Sequence, residues 1–123
     1  MLYSENALWE VLIGDQVASW LDEIEQGTYE LVMAAIRVLS EEGPNLGRPL
    51  VDSIAGSRYK NMKELRPGSI GPSEVRILFA FDPKRRAILL LAGDKAGTWQ
   101  KWYRRSIPVA DAAFEEHMRG LRP

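Results

Sequence analysis

Glu74-Val-Arg-Ile-Leu-Phe-Ala-Phe-Asp82 is the stretch from which the fold can be built outward. Its alternation puts Val75, Ile77, Phe79 and Phe81 on one face and Arg76, Leu78 and Ala80 on the other, the two-residue period of a β-strand. The aromatic face is expected to pack on helices, which leaves Arg76 on the opposite surface. Pro67-Gly-Ser-Ile-Gly-Pro72 separates this strand from an earlier one over Tyr59–Arg66. Asp82-Pro-Lys-Arg85 separates it from a later one over Arg86–Gly93. Short turns of this composition make antiparallel pairing the simplest arrangement.

Upstream, Leu8-Trp-Glu-Val-Leu-Ile13 reads as a first strand ending at Gly14. Asp15 can cap a helix in which Val17, Trp20, Leu21 and Ile24 form one apolar stripe. Gly27 interrupts, Thr28 can cap a second helix from Tyr29 to about Glu42, and Gly43-Pro44 stops it. An antiparallel helical hairpin is the expected result. Downstream, Thr98–Arg105 and Pro108–Gly120 read as two short helices, with Ser106 as the cap of the second and Pro108 in its first turn. The order is β-α-α-β-β-β-α-α, with helices on one face of a mostly antiparallel sheet. That is an α+β architecture, and residues 1–123 are expected to form a single domain, since no repeat or long linker divides them.

The composition excludes several chemistries. There is no cysteine, hence no disulfide or thiolate, and the single histidine, His117, permits neither a His-rich metal cluster nor a Ser-His-Asp triad. No metal or other cofactor is expected. No run approaches a membrane span, and Glu5, Glu10 and Asp15 argue against a secretory signal, so a cytoplasmic protein is expected. The net charge of −1 hides a segregation. Residues 57–106 hold 12 of the 16 Lys and Arg against 4 acids, whereas the first 56 residues hold 2 against 10. A basic segment interleaved with Tyr59, Trp99, Trp102 and Tyr103 suits a polyanion such as RNA.

Within that segment Lys60, Lys63, Glu64, Arg66, Arg76 and Lys95 are the candidates for chemistry. Cleaving RNA without a metal needs a base for the 2′-OH, cations for the phosphorane charge and an acid for the 5′-oxygen. Glu64 could be the base if Arg66 and Arg76 orient it, and Lys95 sits in a Gly93–Gly97 loop whose backbone could approach a phosphate. The same residues could equally form a structural ion-pair network. Trp99, Trp102 and Tyr103 share a helical stripe that either docks a helix on its sheet or stacks on bases, with Tyr103 the ring best suited to reach a nucleotide. Lys84-Arg85-Arg86 reads as a charged turn with a steering role, and His117 as a surface histidine. Gly68-Ser-Ile-Gly71 matches the bare GxxG of KH domains but joins strands here, which excludes that reading.

Taken in order, Met62-Lys-Glu-Leu-Arg66, Glu74-Val-Arg-Ile-Leu-Phe-Ala-Phe81 and Ile88-Leu-Leu-Leu-Ala-Gly-Asp-Lys95 resemble the HigB/RelE-like toxins of type II toxin–antitoxin pairs. The likeness is to the branch named after a phage Gp49-like protein. These stretches answer to that family's ELR, R-[VI]-L-[FY]-x-F and LL-x-G-x-x-K patterns, and the similarity spans about residues 8–120. The resemblance implies a RelE-like domain and a ribosome-dependent mRNA endonuclease that works by 2′-OH attack without a metal. It implies a helix-turn-helix antitoxin as partner, with operator DNA met only through that antitoxin, and no membrane. Carried over, Arg66, Arg76 and Lys95 are the cationic positions and Glu64 the acidic one. Lys60 or Lys63 would supply a further basic residue, and Tyr103 or Trp102 the base-stacking ring. The chain departs from many such toxins in its pI of 5.9 and from some in lacking a histidine near the active strand. The alternative is a non-catalytic RNA- or protein-binding module.

Overall fold

A six-stranded sheet carries two hydrophobic layers, one on each face. The computed structural model describes residues 2–3, 8–68 and 70–122. Its strands are β1 (Leu2–Tyr3), β2 (Glu10–Ile13), β3 (Val51–Ser53), β4 (Lys63–Leu65), β5 (Val75–Phe81) and β6 (Arg86–Asp94). Its helices are α1 (Asp15–Glu23), α2 (Gln26–Glu42) and α3 (Trp99–Gly120). The strand order is β1-β2-β6-β5-β4-β3. β2 runs parallel to β6, and every other neighbouring pair is antiparallel. The class is α+β and RelE-like, as the sequence led one to expect.

The alternation in β5 decides both layers. Val75, Ile77 and Phe79 join Val17 and Leu21 of α1 and Val32, Ile36 and Leu39 of α2 in one core. Leu78 and Ala80 join Trp102, Ile107, Ala110 and Phe114 of α3 in the other. The helices therefore do not share one face, because α3 covers the face on which only Arg76 had been expected to stand out. A bulge helps to build that second layer. Leu78 pairs with Leu91 but Phe79 with Leu89, so the intervening residue lets Leu90 and Leu91 both pack toward α3.

The parallel β2–β6 contact is carried past the end of β2 by two devices. The Gly14 N–H donates to the Leu89 carbonyl at 2.9 Å, and a Cβ on Gly14 would stand 2.7 Å from that same oxygen. At the second residue of α1, the Gln16 side-chain amide both accepts from the Ala92 N–H (2.9 Å) and donates to the Ala92 carbonyl (3.2 Å), as a strand residue would. Gly14, rather than Asp15, occupies the N-cap, with no side-chain cap, and Asp15 sits in the first turn where it complements the helix dipole. α2 starts at Gln26 rather than after Thr28, since Ile24 and Glu25 alone are extended between the helices.

Three boundaries differ from expectation for identifiable reasons. β4 is shorter than Tyr59–Arg66 because the chain before it is tied to α3 instead. Ser57 Oγ donates to Asp111 Oδ1 and the Arg58 N–H to Asp111 Oδ2. β3 was not anticipated; it pairs with β4 from Val51 opposite Leu65 to Ser53 opposite Lys63. The two expected C-terminal helices are one helix with Pro108 inside it. Proline removes one backbone hydrogen bond and crowds the preceding turn. Here an unbroken apolar stripe from Trp102 through Ile107 and Ala110 to Phe114 is buried on the sheet, and that burial outweighs the local cost.

The helix makes a clear prediction. At the start of a separate helix, replacing Pro108 would be neutral or harmful. In a helix interior, Pro108→Ala restores a hydrogen bond and should raise stability by about 1–3 kcal/mol, lifting the thermal midpoint by several degrees. A calorimetric midpoint unchanged or lowered would argue for a break at Ser106.

Candidate active site

At the end of the sheet where β3, β4 and β5 lie side by side, a cluster of polar side chains gathers under α3. Asp52 lies opposite Glu64 across β3–β4, and Glu64 lies opposite Leu78 across β4–β5, so both acids point toward α3. Arg66 follows β4, Arg76 sits on β5, and Tyr103 hangs from the first turns of α3. Lys95 begins the loop after β6. Residues far apart in sequence are thus joined by register rather than by spacing.

Glu64 is the centre. Its side chain is buried, at 2% relative exposure. Its Oε2 accepts from Arg66 Nη2 (2.8 Å) and Nε (3.1 Å), a two-pronged guanidinium contact. Its Oε1 accepts from the Tyr103 hydroxyl at 2.5 Å and lies 3.6 Å from Arg76 Nε. Arg66 also meets Asp52 Oδ2 at 3.3 Å, and Asp52 in turn meets Arg48 at 3.1 Å. Arg76 Nη1 donates to its neighbour's carbonyl, Val75 O, at 2.8 Å, whereas its buried Nε has no hydrogen-bond partner.

The electrostatics follow from these contacts. The hydrogen bonds to Glu64, joined by the charges of Glu64 and Asp52, hold Arg66 above its ordinary value against the opposing effect of burial. Burial by itself would raise Asp52, but the Ser53 N–H, Arg48 and Arg66 outweigh it and keep the carboxyl below its usual range. Burial, reinforced by the hydrogen bond to Glu64 and its charge, pushes Tyr103 up to about 12. The phenol is therefore a proton-bearing donor throughout the neutral range and no base.

A cleft of about 380 Å³ opens over this cluster, with Glu64, Arg66, Lys95, Trp99, Tyr103 and Ile107 among its walls. Lys95 Nζ lies 5.7 Å from the Tyr103 ring centre, 5.9 Å from that of Trp99 and 4.0 Å from Glu74 Oε1. Its loop is fastened by Asp94, whose Oδ1 accepts from the N–H groups of Glu74 and Ala96. Two guanidinium groups thus hold a buried carboxylate beside an open cleft whose wall also carries an ammonium, a set suited to an anionic, planar-ringed ligand. Among the described residues no cluster of three or more His, Cys, Asp or Glu side chains could hold a metal ion, and no helix is long and apolar enough to cross a membrane.

The structure brings Glu64, Arg66, Arg76, Lys95 and Tyr103 together, and leaves three other candidates elsewhere. Trp102 is 5% exposed and packs in the core against Gly93, where an added Cβ would come within 2.6 Å of its Nε1. It cannot offer a face to a base. Lys63 pairs in register with Phe79 and so belongs to the α1–α2 side of the sheet. Lys60 is exposed in the turn before β4. Two further residues belong to the site: Trp99, which the sequence offered only as one member of the aromatic stripe, and Asp52, which it did not mark. Trp99 shares the stripe with Trp102 and yet is 53% exposed on the cleft rim. Asp52 lies on the unanticipated β3, where no sequence signal marked it.

Away from the cleft, two other expectations are corrected. His117 is not a free surface histidine: its Nε2 lies 2.9 Å from Asp82 Oδ2 and its ring stacks on Phe114. In the Lys84-Arg85-Arg86 tip, Arg86 is clamped to Asp82 and Arg85 lies over the Trp9 ring at 4.5 Å, which leaves Lys84 as the solvated cation.

A mixed sheet with helices on both faces and a cationic cleft beside the last helix defines a RelE-like domain, the class that the sequence motifs implied. Residues 19–115 match the family described as phage derived protein Gp49-like (DUF891), and the chain belongs to that family. It is 62% identical over 104 residues to "Putative toxin HigB2" of Mycobacterium tuberculosis (strain ATCC 25618 / H37Rv), covering 85% of this chain and 52% of that relative. It is 50% identical over 105 residues to "Putative toxin HigB3" of the same organism, covering 85% of this chain and 90% of the relative. The chain thus spans about half the length of the first relative and nearly all of the second.

The raised Tyr103 value is directly observable. A group with a folded value above its unfolded 10.0 contributes stability that is present below pH 10 and is lost as pH rises toward about 12. Absorbance at 295 nm should show one of the four tyrosines ionising near pH 12, and Tyr103→Phe should abolish that step. A Tyr103 that titrates with an ordinary phenol would mean that the hydroxyl does not reside on Glu64.

Proposed function

We propose that the chain is the toxin of a type II toxin–antitoxin pair, an endoribonuclease that cuts mRNA on the ribosome and so halts translation. Its partner is a cognate helix-turn-helix antitoxin, through which alone it meets operator DNA. The observation that carries this reading is one cleft lined by Glu64, Arg66 and Lys95, with Arg76 set against Glu64 from β5. Membership of the Gp49-like family and similarity to two relatives named as toxins support it.

In this reading the 2′-oxygen of the substrate attacks the adjacent phosphorus while the bond to the 5′-oxygen breaks. The products are a 2′,3′-cyclic phosphate and a 5′-hydroxyl, and no metal takes part. Arg66 and Lys95, on the cleft wall, carry the extra negative charge of the phosphorane. Arg76 stands behind Glu64 and sets its position. Glu64 takes the 2′-OH proton when the substrate hydroxyl displaces the Tyr103 hydroxyl from Oε1, and Lys95 returns a proton to the departing 5′-oxygen. Tyr103, released, lies against the nucleotide.

One feature favours a second reading, a non-catalytic binding module. Glu64 is buried and both its oxygens are engaged, as in a structural ion-pair network. End chemistry separates the two. Ribosome-bound mRNA exposed to the toxin should acquire 2′,3′-cyclic phosphate ends, and a binding module leaves none.

Lys95→Ala should relieve growth inhibition and lower cleavage by about 100- to 1,000-fold with the fold intact, because the amine makes only a 4.0 Å ion pair. Arg76→Ala should relieve toxicity as well, but with a loss of stability, since the guanidinium faces a buried carboxylate. Full toxicity of soluble Lys95→Ala would remove that residue from the mechanism.

A further inference from the structure

We propose that Trp99 is a stacking platform for a second base of single-stranded RNA, the indole parting one base in the active-site cleft from its neighbour in an adjoining hollow. The identity of the occupant rests on the nuclease reading; the platform adds a nucleotide-binding position to it.

Trp99 is the first residue of α3 and is 53% exposed, although Trp102, three residues on, is buried. Leaving so large a ring in water forgoes the burial that aromatic side chains ordinarily obtain. The ring is a wall of the 380 Å³ cleft together with Glu64, Arg66, Lys95 and Tyr103. It is also a wall of a second hollow of about 250 Å³, which it forms with Gly97, Thr98, Gln100 and Lys101. Trp99 is therefore common to the linings of both concavities.

The charges around it fit a strand passing from one concavity to the other. Lys95 Nζ stands 5.9 Å from the Trp99 ring centre and 5.7 Å from that of Tyr103, where it can neutralise a phosphate linking two splayed nucleotides. Lys101, Arg104 and Arg105 are exposed on the solvent side of the same helix, and among the described residues none of them has an ion-pair partner. A cationic track beside aromatic faces is how proteins hold single strands. A duplex keeps its bases stacked inward and offers none to an indole, so the occupant is single-stranded.

The test uses a short RNA oligonucleotide methylated at every 2′-oxygen, which can bind but cannot be cut. Fluorescence anisotropy compares the unaltered protein with Trp99→Ala, Trp99→Phe and Lys95→Ala. Trp99→Ala should weaken binding about 5- to 150-fold, the loss of one base–aromatic stack, and Trp99→Phe should keep most of the affinity. Unchanged thermal midpoints will show that the exposed ring can be removed without unfolding. Equal affinity of Trp99→Ala and the parent overturns the platform, as does failure of the parent to bind. So does a Trp99→Ala protein that keeps its RNA affinity and loses the antitoxin, since the ring would then be a protein contact. Because the probe resists cleavage, the two readings can fail separately. Trp99-dependent binding without cyclic-phosphate ends on ordinary RNA would keep the platform and remove the nuclease.

Discussion

A buried carboxylate is tolerated only where its neighbours replace the water it has lost, and Glu64 imposes that condition on the whole cleft. Its two oxygens are shared among a guanidinium from the end of β4, another from β5 and a phenol from α3. Each of those partners must then be held by something else. Arg66 is held by Asp52 of β3, Arg76 by the carbonyl of Val75, and Tyr103 by the helix that packs over Leu78 and Ala80. Removal of any one leaves a charge or donor stranded out of water, which is more costly than the interaction itself. The site is therefore preorganised by folding and needs no ligand to assemble it, apart from the Arg76 Nε, which remains unsatisfied.

That arrangement depends on a sheet with two occupied faces. The α1–α2 layer buries the aromatic row of β5 from behind, and α3 covers its front. Gly93 matters to this second step. Paired with Arg76 across β5–β6, it has no side chain, and Trp102 lies directly on its backbone. The docking depth of α3 is thus set by Trp102, and the reach of Tyr103 and Trp99 into the cleft follows from it.

The strands were legible wherever a two-residue period ran for several residues, as in β5 and β6, and of the cationic cluster Arg76 sits on β5 while Arg66 and Lys95 follow directly on β4 and β6. What failed to show had physical reasons. β3 is too short for any period to emerge. Pro108 read as a boundary because the local rule is strong, and only the apolar stripe on both sides of it, seen in three dimensions, explains why the helix runs through. The aromatic stripe could not be resolved from sequence. Trp99 and Trp102 have the same spacing rule and the same chemistry, and what separates them is that one meets Gly93 and the other lies on the rim of a cleft. His117 looked free because its partner, Asp82, is distant in sequence and is brought to it by the β5–β6 turn.

The same reasoning changes what the low pI means. Counting charges treats every arginine as available to a polyanion, but most in the basic segment are engaged at home. Arg58 is paired with Glu115, Arg86 with Asp82, and Arg66 and Arg76 with Glu64. Among the described residues of that segment, the cations without an ion pair are Lys60, Lys63, Lys84, Arg85 (which lies over Trp9), Lys101, Arg104 and Arg105, and the last three lie on the first turns of α3. Charges on a protein surface act on an approaching polyanion mainly within about a Debye length, roughly 8 Å at physiological salt. A near-neutral total is thus compatible with a strongly directional field. The arginines spent on Glu64 are not lost to function either. They hold Glu64 in place beneath the cleft, where its Oε1 accepts from the Tyr103 hydroxyl, and Lys95 adds an ammonium to the same wall.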